Sequence, residues 1–407
     1  MKKVIWFVVL LAIALSACSP AATPAPAATA TSAPKATAAP AASATVAATA
    51  APAATAAPAA TKAPAATATT AASATAAPTA APAGAATLTV MTHDSFAVTD
   101  KLIQKFEQDN KVKINFVKSG DAGSMLNRAI LTKDAPQADV MYGVDNTFLS
   151  RALDAGVFEA YKSLQLADIP AVYQLDAQNR ALPVDFGDVC LNYDKAYFAA
   201  KKLALPQSLE DLAKPEYKGL VVTENPATSS PGLAFLMATI KHFGQDKYLA
   251  YWKSLRANGV VVVNDWETAY YTNFSGSSGK GAQPLVVSYN SSPAAEVVFA
   301  KEPPKDAPTG SLIGTDMCFR QVEFVGILKG AKNRAMAEKF VDFMLSASFQ
   351  EDMPLQMFVY PVLSKAKLPD EFVKFAQVPA QPASLDPAAI AKSREQWLAD
   401  WKKTVLD

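Results

Sequence analysis

The sequence has few of the residues that most often bind metals or act as nucleophiles. Among 407 residues there are two histidines, His93 and His242, and three cysteines, Cys18, Cys190 and Cys318. No HExxH or CxxC pattern, the usual signatures of zinc sites, is present. A GxSxG nucleophile elbow is also missing. We therefore expect no metal centre, no cofactor and no hydrolase site.

The sequence also lacks an excess of charge of either sign. It has 38 Lys and Arg against 37 Asp and Glu, so its formal net charge is +1 at pH 7. No basic stripe of the kind that binds phosphate backbones is present. We therefore expect no nucleic-acid partner.

An apolar run stands at the N-terminus but is too short to cross a membrane. Two lysines precede the segment from Val4 to Leu15, which falls short of the roughly 20 apolar residues of a membrane span. A basic start and a short apolar core are typical of a secretory signal peptide. The ending Leu15-Ser-Ala-Cys18 resembles the bacterial lipoprotein box, whose cysteine is lipidated. We predict a lipoprotein signal over residues 1–18 and export to the outer face of the cytoplasmic membrane or the periplasm, with Cys18 as the lipid anchor. An ordinary secretory signal with an incidental cysteine is the alternative.

The segment 19–86 lacks nearly everything from which a core is built. It is almost entirely Ala, Pro, Thr and Ser, without aromatic residues and with Val46 as its only larger aliphatic side chain. Such a segment buries too little apolar surface to offset the entropy lost on ordering. We predict a disordered tether ahead of a folded part over residues 87–407.

The folded part shows strands and helices in alternation. Strand-like apolar runs begin at Leu88, Val112 and Ala138, and a helical pattern follows each of them. An extended stretch from Ala181 to Tyr193 interrupts the alternation, which starts again at Gly219. About 320 residues are more than one core usually spans. We predict an α/β protein of two lobes with a ligand cleft between them. The predicted lobes are residues 87–188 with 316–360, and residues 189–315 with 361–407.

The folded part resembles a known family of transport proteins. Short motifs carry the resemblance in this order: "DSFA" (94–97), "GDAGSMLNR" (120–128), "ADVMYGVDN" (138–146), "VDFGDVCLNYDK" (184–195), "NPATSSPGL" (225–233), "WETAY" (266–270), "VSYNSSPA" (287–294), "QVE" (321–323) and "YPV" (360–362). Together they resemble the periplasmic solute-binding proteins of ABC importers, and within them the thiamine binders. The resemblance implies a two-lobe periplasmic binding protein fold (type II-like) with hinge crossings. It also implies a monomeric binding protein rather than an enzyme. The implied ligand is thiamine, a thiamine phosphate or a related cation, which the protein delivers to a cognate permease.

The resemblance also implies which residues contact the ligand. Thiamine carries a cationic thiazolium ring, so its site needs aromatic faces and carboxylates. Loops at the carboxyl ends of strands and the helix start at "TSSPG" supply further polar groups. The predicted ligand-binding residues are Asp94, Ser95, Ser124, Asp145, Asn146, Asp185, Thr228, Ser229, Ser230, Trp266, Tyr270 and Tyr289.

Structural alternatives remain open for several of these residues. Asp145 and Ser230 also suit helix caps, and the aromatic residues also suit a core. Adjacent Tyr270 and Tyr271 resemble the paired tyrosines of ferric-iron-binding relatives, which is an alternative function. A thiamine-modifying enzyme is a further alternative, with Cys190 or Cys318 as its nucleophile.

Cys190 and Cys318 form an even pair in an exported domain, where disulfides are common. Both lie in extended segments that we expect to cross between the lobes. We predict a disulfide between them, and two buried free thiols are the alternative.

Overall fold

The computed structural model describes residues 86–277 and 280–407. The predicted signal peptide, Cys18 and nearly all of the predicted tether lie outside the described residues. Within the described ranges, no helix combines the length and the apolar character needed to cross a bilayer.

Strands and helices alternate along the chain, as the sequence predicts. The strands are β1 (Ala86–Thr92), β2 (Val112–Lys118), β3 (Val140–Asp145), β4 (Phe158–Glu159), β5 (Leu182–Asp194), β6 (Val221–Glu224), β7 (Val261–Val263), β8 (Leu285–Tyr289), β9 (Thr309–Leu312), β10 (Phe319–Leu328) and β11 (Tyr360–Pro361). The α-helices are α1 (Asp100–Asn110), α2 (Ala122–Leu131), α3 (Leu149–Ala155), α4 (Lys195–Lys201), α5 (Ser230–Phe243), α6 (Tyr248–Ala257), α7 (Ser292–Val298), α8 (Arg334–Met344), α9 (Ala347–Gln356), α10 (Asp370–Phe375) and α11 (Pro387–Val405).

One mixed sheet organises the molecule, with the strand order β2-β1-β3-β10-β5-β8-β6-β7. The pairs at both ends are parallel: β1 with β2 and β3, and β6 with β7 and β8. The central pairs that involve β5 and β10 are antiparallel. The sheet therefore has two parallel halves, joined by the two long strands β5 and β10.

The helices bury their apolar faces against these halves. In α5 every residue from Ser230 to Ile240 is buried, because the helix lies between the sheet and α6. The last helix, α11, contacts both halves. Trp401 packs edge-on against Trp252 of α6 with 5.4 Å between ring centroids, and the Arg394 guanidinium lies 5.3 Å from the centre of the Phe148 ring, next to α3.

The structure differs from the predicted elements in two places. A π-helical turn occupies Thr268–Asn273, where the sequence pattern predicts an ordinary helix. The short elements after Tyr289 and the helices α9 to α11 carry weak periodicity and were not predicted. One of them, α9, contains Pro354, which the rules for helix interiors disfavour.

A disulfide joins Cys190 of β5 to Cys318, which directly precedes β10. The two sulfur atoms are 2.10 Å apart and the Cα atoms 4.2 Å apart. In the register of β5 and β10, Val189 pairs with Phe319, so the two cysteines occupy the next opposed positions. The bridge therefore ties together the two strands that link the halves.

We expect the Cys190→Ala/Cys318→Ala double variant of residues 86–407 to lose about 2–4 kcal/mol of unfolding free energy, because the bridge closes a long loop in the unfolded chain. Denaturant unfolding measures this loss. Thiol titration of the denatured, unreduced wild-type domain should find no free thiol. Two free thiols per chain would contradict the bridge.

Candidate functional site

A cavity of about 240 Å³ lies between the two parallel halves of the sheet. It is lined by His93, Ser95, Ala97, Asp121, Ala122, Ser230, Pro231, Trp266, Glu267, Tyr270, Tyr271, Tyr289, Ser292, Ala295, Phe299, Glu323, Gln356, Met357, Phe358 and Val359. Several of these residues lie at the carboxyl end of a strand or within three residues after it: His93 and Ser95 after β1, Asp121 after β2, Trp266 after β7 and Tyr289 at the end of β8. Ligands of open α/β sheets bind at the carboxyl ends of the strands, so the topology itself places the cavity here.

Three aromatic rings form one wall of the cavity. Trp266 stacks on Tyr270 with 5.1 Å between centroids and an interplanar angle of 19°, while Tyr271 meets Trp266 edge-on at 5.5 Å. Trp266 and Tyr270 are four residues apart, which is the spacing that brings side chains together on one face of a helix. The Trp266 Nε1 donates to Ser288 Oγ at 2.9 Å, and the Tyr270 hydroxyl donates to Glu296 Oε1 at 2.9 Å. The wall is therefore held in one orientation.

A directed chain of hydrogen bonds ends at Ser230. The Tyr289 hydroxyl donates to Gln321 Oε1 at 2.9 Å, and Gln321 Nε2 donates to Ser230 Oγ at 2.9 Å. Since Ser230 Oγ accepts from Gln321, its own hydrogen is left for a ligand. Ser230 also begins α5, whose N-terminus favours negative charge or an oxygen acceptor.

The polar lining of the cavity is acidic. Asp121, Glu267 and Glu323 line it, and no Lys or Arg occurs among the lining residues of the described chain. Burial lowers the pKa of His93 to about 4, so this imidazole is neutral near neutral pH. The Asp121 carboxylate caps α2, accepting from Ala122 N at 2.7 Å, and also accepts from Trp266 N of the other half at 3.2 Å. Burial raises the pKa of Asp121, while the Ser229 hydroxyl and these N–H groups act in the opposite direction.

Glu323 belongs to a row of carboxyl groups on three adjacent strands. In the sheet register Glu323 of β10 pairs with Asp145 of β3 on one side and with Asp185 of β5 on the other. The Tyr142 hydroxyl lies 2.5 Å from Asp185 Oδ2 and 3.1 Å from Glu323 Oε2. Burial raises the pKa of Asp145 to about 7 and that of Asp185 to about 6. Burial and the neighbouring Asp185 carboxyl raise the pKa of Glu323 well above its usual range.

Gly143 of β3 makes room for His93 beside this row. Its φ of +106° lies where residues with a side chain are strained, and a Cβ there would approach the His93 ring to 2.3 Å. The β10 register also shifts opposite this point, between Phe324 and Val325. A glycine and an irregular ladder therefore position the imidazole at the cavity.

Five of the twelve predicted ligand-binding residues line the cavity: Ser95, Ser230, Trp266, Tyr270 and Tyr289. Ser95 Oγ lies 3.4 Å from Glu267 Oε1 of the other half. The structure therefore brings together the three predicted aromatic residues and two of the predicted serine residues.

The loops of Ser124 and Thr228 are packed directly on each other. Gly123 N donates to Thr228 O at 3.0 Å, and a Cβ on Gly123 would lie 2.8 Å from that oxygen. The Thr228 hydroxyl donates to Asn264 O at 2.7 Å. Ser229 is fully buried outside the cavity lining. The two loops therefore contact each other directly in the structure.

The remaining predicted residues hold loops together instead of lining the cavity. Asp94 Oδ1 accepts from Gly120 N at 2.9 Å, and Asp145 Oδ1 accepts from Thr147 N at 2.6 Å. Asn146 Oδ1 accepts from Val322 N at 3.0 Å. Asp185 lies behind Glu323, bonded to Tyr142.

The sequence reasoning missed several lining residues, although most stand inside motifs that it singled out. Asp121 lies in "GDAGS", Glu267 in "WETAY" and Glu323 in "QVE". In the first two motifs other residues were predicted, and in "QVE" none was, because the pattern does not say which side chain points into the cavity. His93 follows β1 directly, and its position after a strand was the only signal available.

Comparison with known proteins gives consistent matches. A family model described as "Bacterial extracellular solute-binding protein" matches residues 135–379, more than half of the chain. The chain is 32% identical over 323 residues to the thiamine-binding periplasmic protein of Escherichia coli (strain K12), which covers 78% of this chain and 93% of that protein. The solved structure of a periplasmic thiamin binding protein matches with a TM-score of 0.68 and 29% identity, over 78% of this chain and 96% of that one.

A more distant match shares the fold alone. The ferric binding protein from Campylobacter jejuni matches with a TM-score of 0.62 and 19% identity, over 78% of this chain and 99% of that one. The predicted fold is therefore confirmed: the protein has the two-lobe periplasmic binding protein fold, with a cleft between the lobes and β5 and β10 as crossings. The chain belongs to the family of bacterial extracellular solute-binding proteins.

Proposed function

We propose that this protein binds thiamine or a thiamine phosphate outside the cytoplasm and delivers it to the permease of an ABC importer. The observation that carries the proposal is the lining of the cavity, which combines a fixed aromatic wall with three carboxyl groups and no Lys or Arg among the described lining residues. Such a lining suits a flat, cationic, heteroaromatic ligand. The matched relatives named for thiamine support the same ligand.

The parts of the cavity suit different parts of thiamine. The face of Trp266 attracts the thiazolium cation through its quadrupole, an interaction of about 0.5–2 kcal/mol. The carboxylates of Asp121 and Glu267 balance the positive charge. The free hydrogen of Ser230 suits the oxygen of the hydroxyethyl group or of its phosphate ester.

We propose that the protein binds its ligand without modifying it, and that it acts as a monomer. Its two proposed lobes are residues 87–188 with 316–360 and residues 189–315 with 361–407. Closure of these lobes over the ligand is the motion typical of the fold. Cys190 and Cys318 are bonded to each other, which removes the two candidate nucleophiles of a thiamine-modifying enzyme.

Ferric iron suits the cavity less well than thiamine does. The Tyr270 hydroxyl donates to Glu296, which does not line the cavity, and its ring stacks on Trp266. Tyr270 therefore offers a ring face where iron would need a phenolate oxygen.

Lipidation of Cys18 would hold the binding domain at the membrane where the permease resides. We expect Cys18→Ala to move the protein from the membrane fraction to the soluble fraction of cells, measured by fractionation and immunoblotting. Retention of the variant in the membrane fraction would place the anchor elsewhere.

We expect Trp266→Ala to raise the Kd for thiamine and for thiamine monophosphate alike, by roughly 10- to 100-fold, because both present the same rings to the aromatic wall. Isothermal calorimetry measures both affinities. Trp266→Phe keeps a ring face and serves as the matched variant, with a smaller loss. Unchanged affinity in Trp266→Ala would show that the wall does not contact the ligand.

We expect Ser230→Ala to weaken thiamine monophosphate by roughly 10- to 100-fold and thiamine by much less, since hydrogen bonds to charged groups are the stronger ones. Calorimetry with both ligands tests this difference. Ser254→Ala removes an exposed hydroxyl of α6 outside the cavity lining and should leave both affinities nearly unchanged. Equal losses for both ligands in Ser230→Ala would show that Ser230 serves only the helix start.

A further inference from the structure

Glu323 and His93 stand side by side at the floor of the cavity. The carboxyl group of Glu323 has one oxygen, Oε2, next to the Tyr142 hydroxyl, while the other, Oε1, lies 3.6 Å from His93 Nε2. Within the described residues, His93 Nε2 is buried and has no hydrogen-bond partner. Both side chains line the cavity. Two polar atoms are thus presented to a ligand at a fixed spacing.

The neighbouring carboxyl groups of Asp145 and Asp185 determine whether Glu323, at the floor of the cavity, is charged or neutral. Like charges on directly opposed positions of a sheet repel each other, and Glu323 is opposed by a carboxyl on both sides. Two buried carboxyls that share a site retain one proton between them. No Lys or Arg among the described residues that line the cavity compensates the charge. The titratable groups that face Glu323 are His93, Tyr142, Asp145, Asp185 and Tyr289.

We propose that Glu323 binds the ligand as a neutral carboxylic acid and, with neutral His93, recognises the amino-nitrogen edge of the aminopyrimidine ring. The proposal rests on the proposed function and assigns to that site the residues that select the heterocycle. Glu323 donates its O–H to the ring nitrogen, and His93 Nε2 accepts from the adjacent exocyclic amine. The structure holds this donor and this acceptor about 3.6 Å apart, so both can reach neighbouring atoms of one ligand edge.

The buried environment supports these protonation states. Burial and the adjacent Asp185 carboxyl raise the pKa of Glu323, and burial lowers that of His93 to about 4. The Tyr142 hydroxyl donates to Asp185 Oδ2, so that Asp185 is the better placed of the two carboxyls to carry the negative charge. The aminopyrimidine therefore contacts two neutral side chains, Glu323 and His93. The carboxylates of Asp121 and Glu267 supply the negative charge that balances the thiazolium.

The test compares Glu323→Gln with Glu323→Leu by calorimetry between about pH 6 and about pH 9. A protonated carboxyl loses its donor as pH rises through its pKa, so the wild-type Kd for thiamine should rise by about tenfold per pH unit beyond that point. The amide of Glu323→Gln keeps a donor at every pH, so this variant should bind thiamine with a Kd that stays flat. Glu323→Leu should raise the Kd by roughly 10- to 100-fold at the lower pH.

A second ligand separates recognition from a structural role. The 4-oxo analogue of thiamine presents a ring N–H and a carbonyl, which reverses the donor and the acceptor. We expect wild type to prefer thiamine over this analogue by roughly 10-fold or more, and Glu323→Leu to lose most of that preference. Melting temperatures of the variants report whether they remain folded.

The outcomes are distinct. A wild-type Kd that falls as pH rises, or a Glu323→Gln variant that loses thiamine, would overturn the proposal, because Glu323 would then act as a carboxylate. A Glu323→Leu variant that is folded and keeps its full preference for thiamine would overturn it as well. Glu267→Gln is the matched control at the other carboxyl and should weaken thiamine at every pH. Failure of wild type to bind thiamine at any pH would refute the proposed function itself.

Discussion

The pairing of β5 with β10 is the interaction on which the rest of the structure depends. These two antiparallel strands separate the parallel half built on β1 to β3 from the parallel half built on β6 to β8. Because parallel strands end at the same edge of a sheet, each half directs its carboxyl-end loops toward the other. The cavity is a consequence of this arrangement, and Glu323 reaches it from the crossing strand itself.

The crossing also explains the electrostatics of the site. A strand buried on both faces is normally apolar, yet β5 and β10 carry Asp185 and Glu323 at opposed positions. The neighbouring β3 adds Asp145, and its pKa is raised by the same burial. The protein therefore keeps several carboxyl groups out of water beside a cavity that we assign to a cation. Such buried carboxyl groups lower the free energy of unfolding, but they strengthen the binding of a cationic ligand.

The sequence predicted the elements wherever their periodicity was strong. Strand β2 begins at Val112, where the strand-like run was predicted to begin, and α5 begins at Ser230, within the helix start predicted at "TSSPG". Trp266, Tyr270 and Tyr289 were predicted because the motifs that contain them resemble those of the thiamine binders. The sequence did not predict Asp121, whose role depends on an N–H group that Trp266 contributes from the other half. Contacts between segments far apart in the chain leave no local pattern, so the packing of Gly123 on Thr228 was beyond prediction too.

The disulfide at the crossing constrains how the protein can move. Because Cys190 is bonded to Cys318, β5 cannot slide along β10. A change in the relative orientation of the lobes therefore requires the two paired strands to bend or twist together. The ladder is irregular at one point between the lobes, where its register shifts between Glu323 and Phe324. Bending is easiest where a ladder is already interrupted. The point at which the paired strands bend most easily thus lies at the floor of the cavity, so a ligand that contacts Glu323 touches the strand at that point.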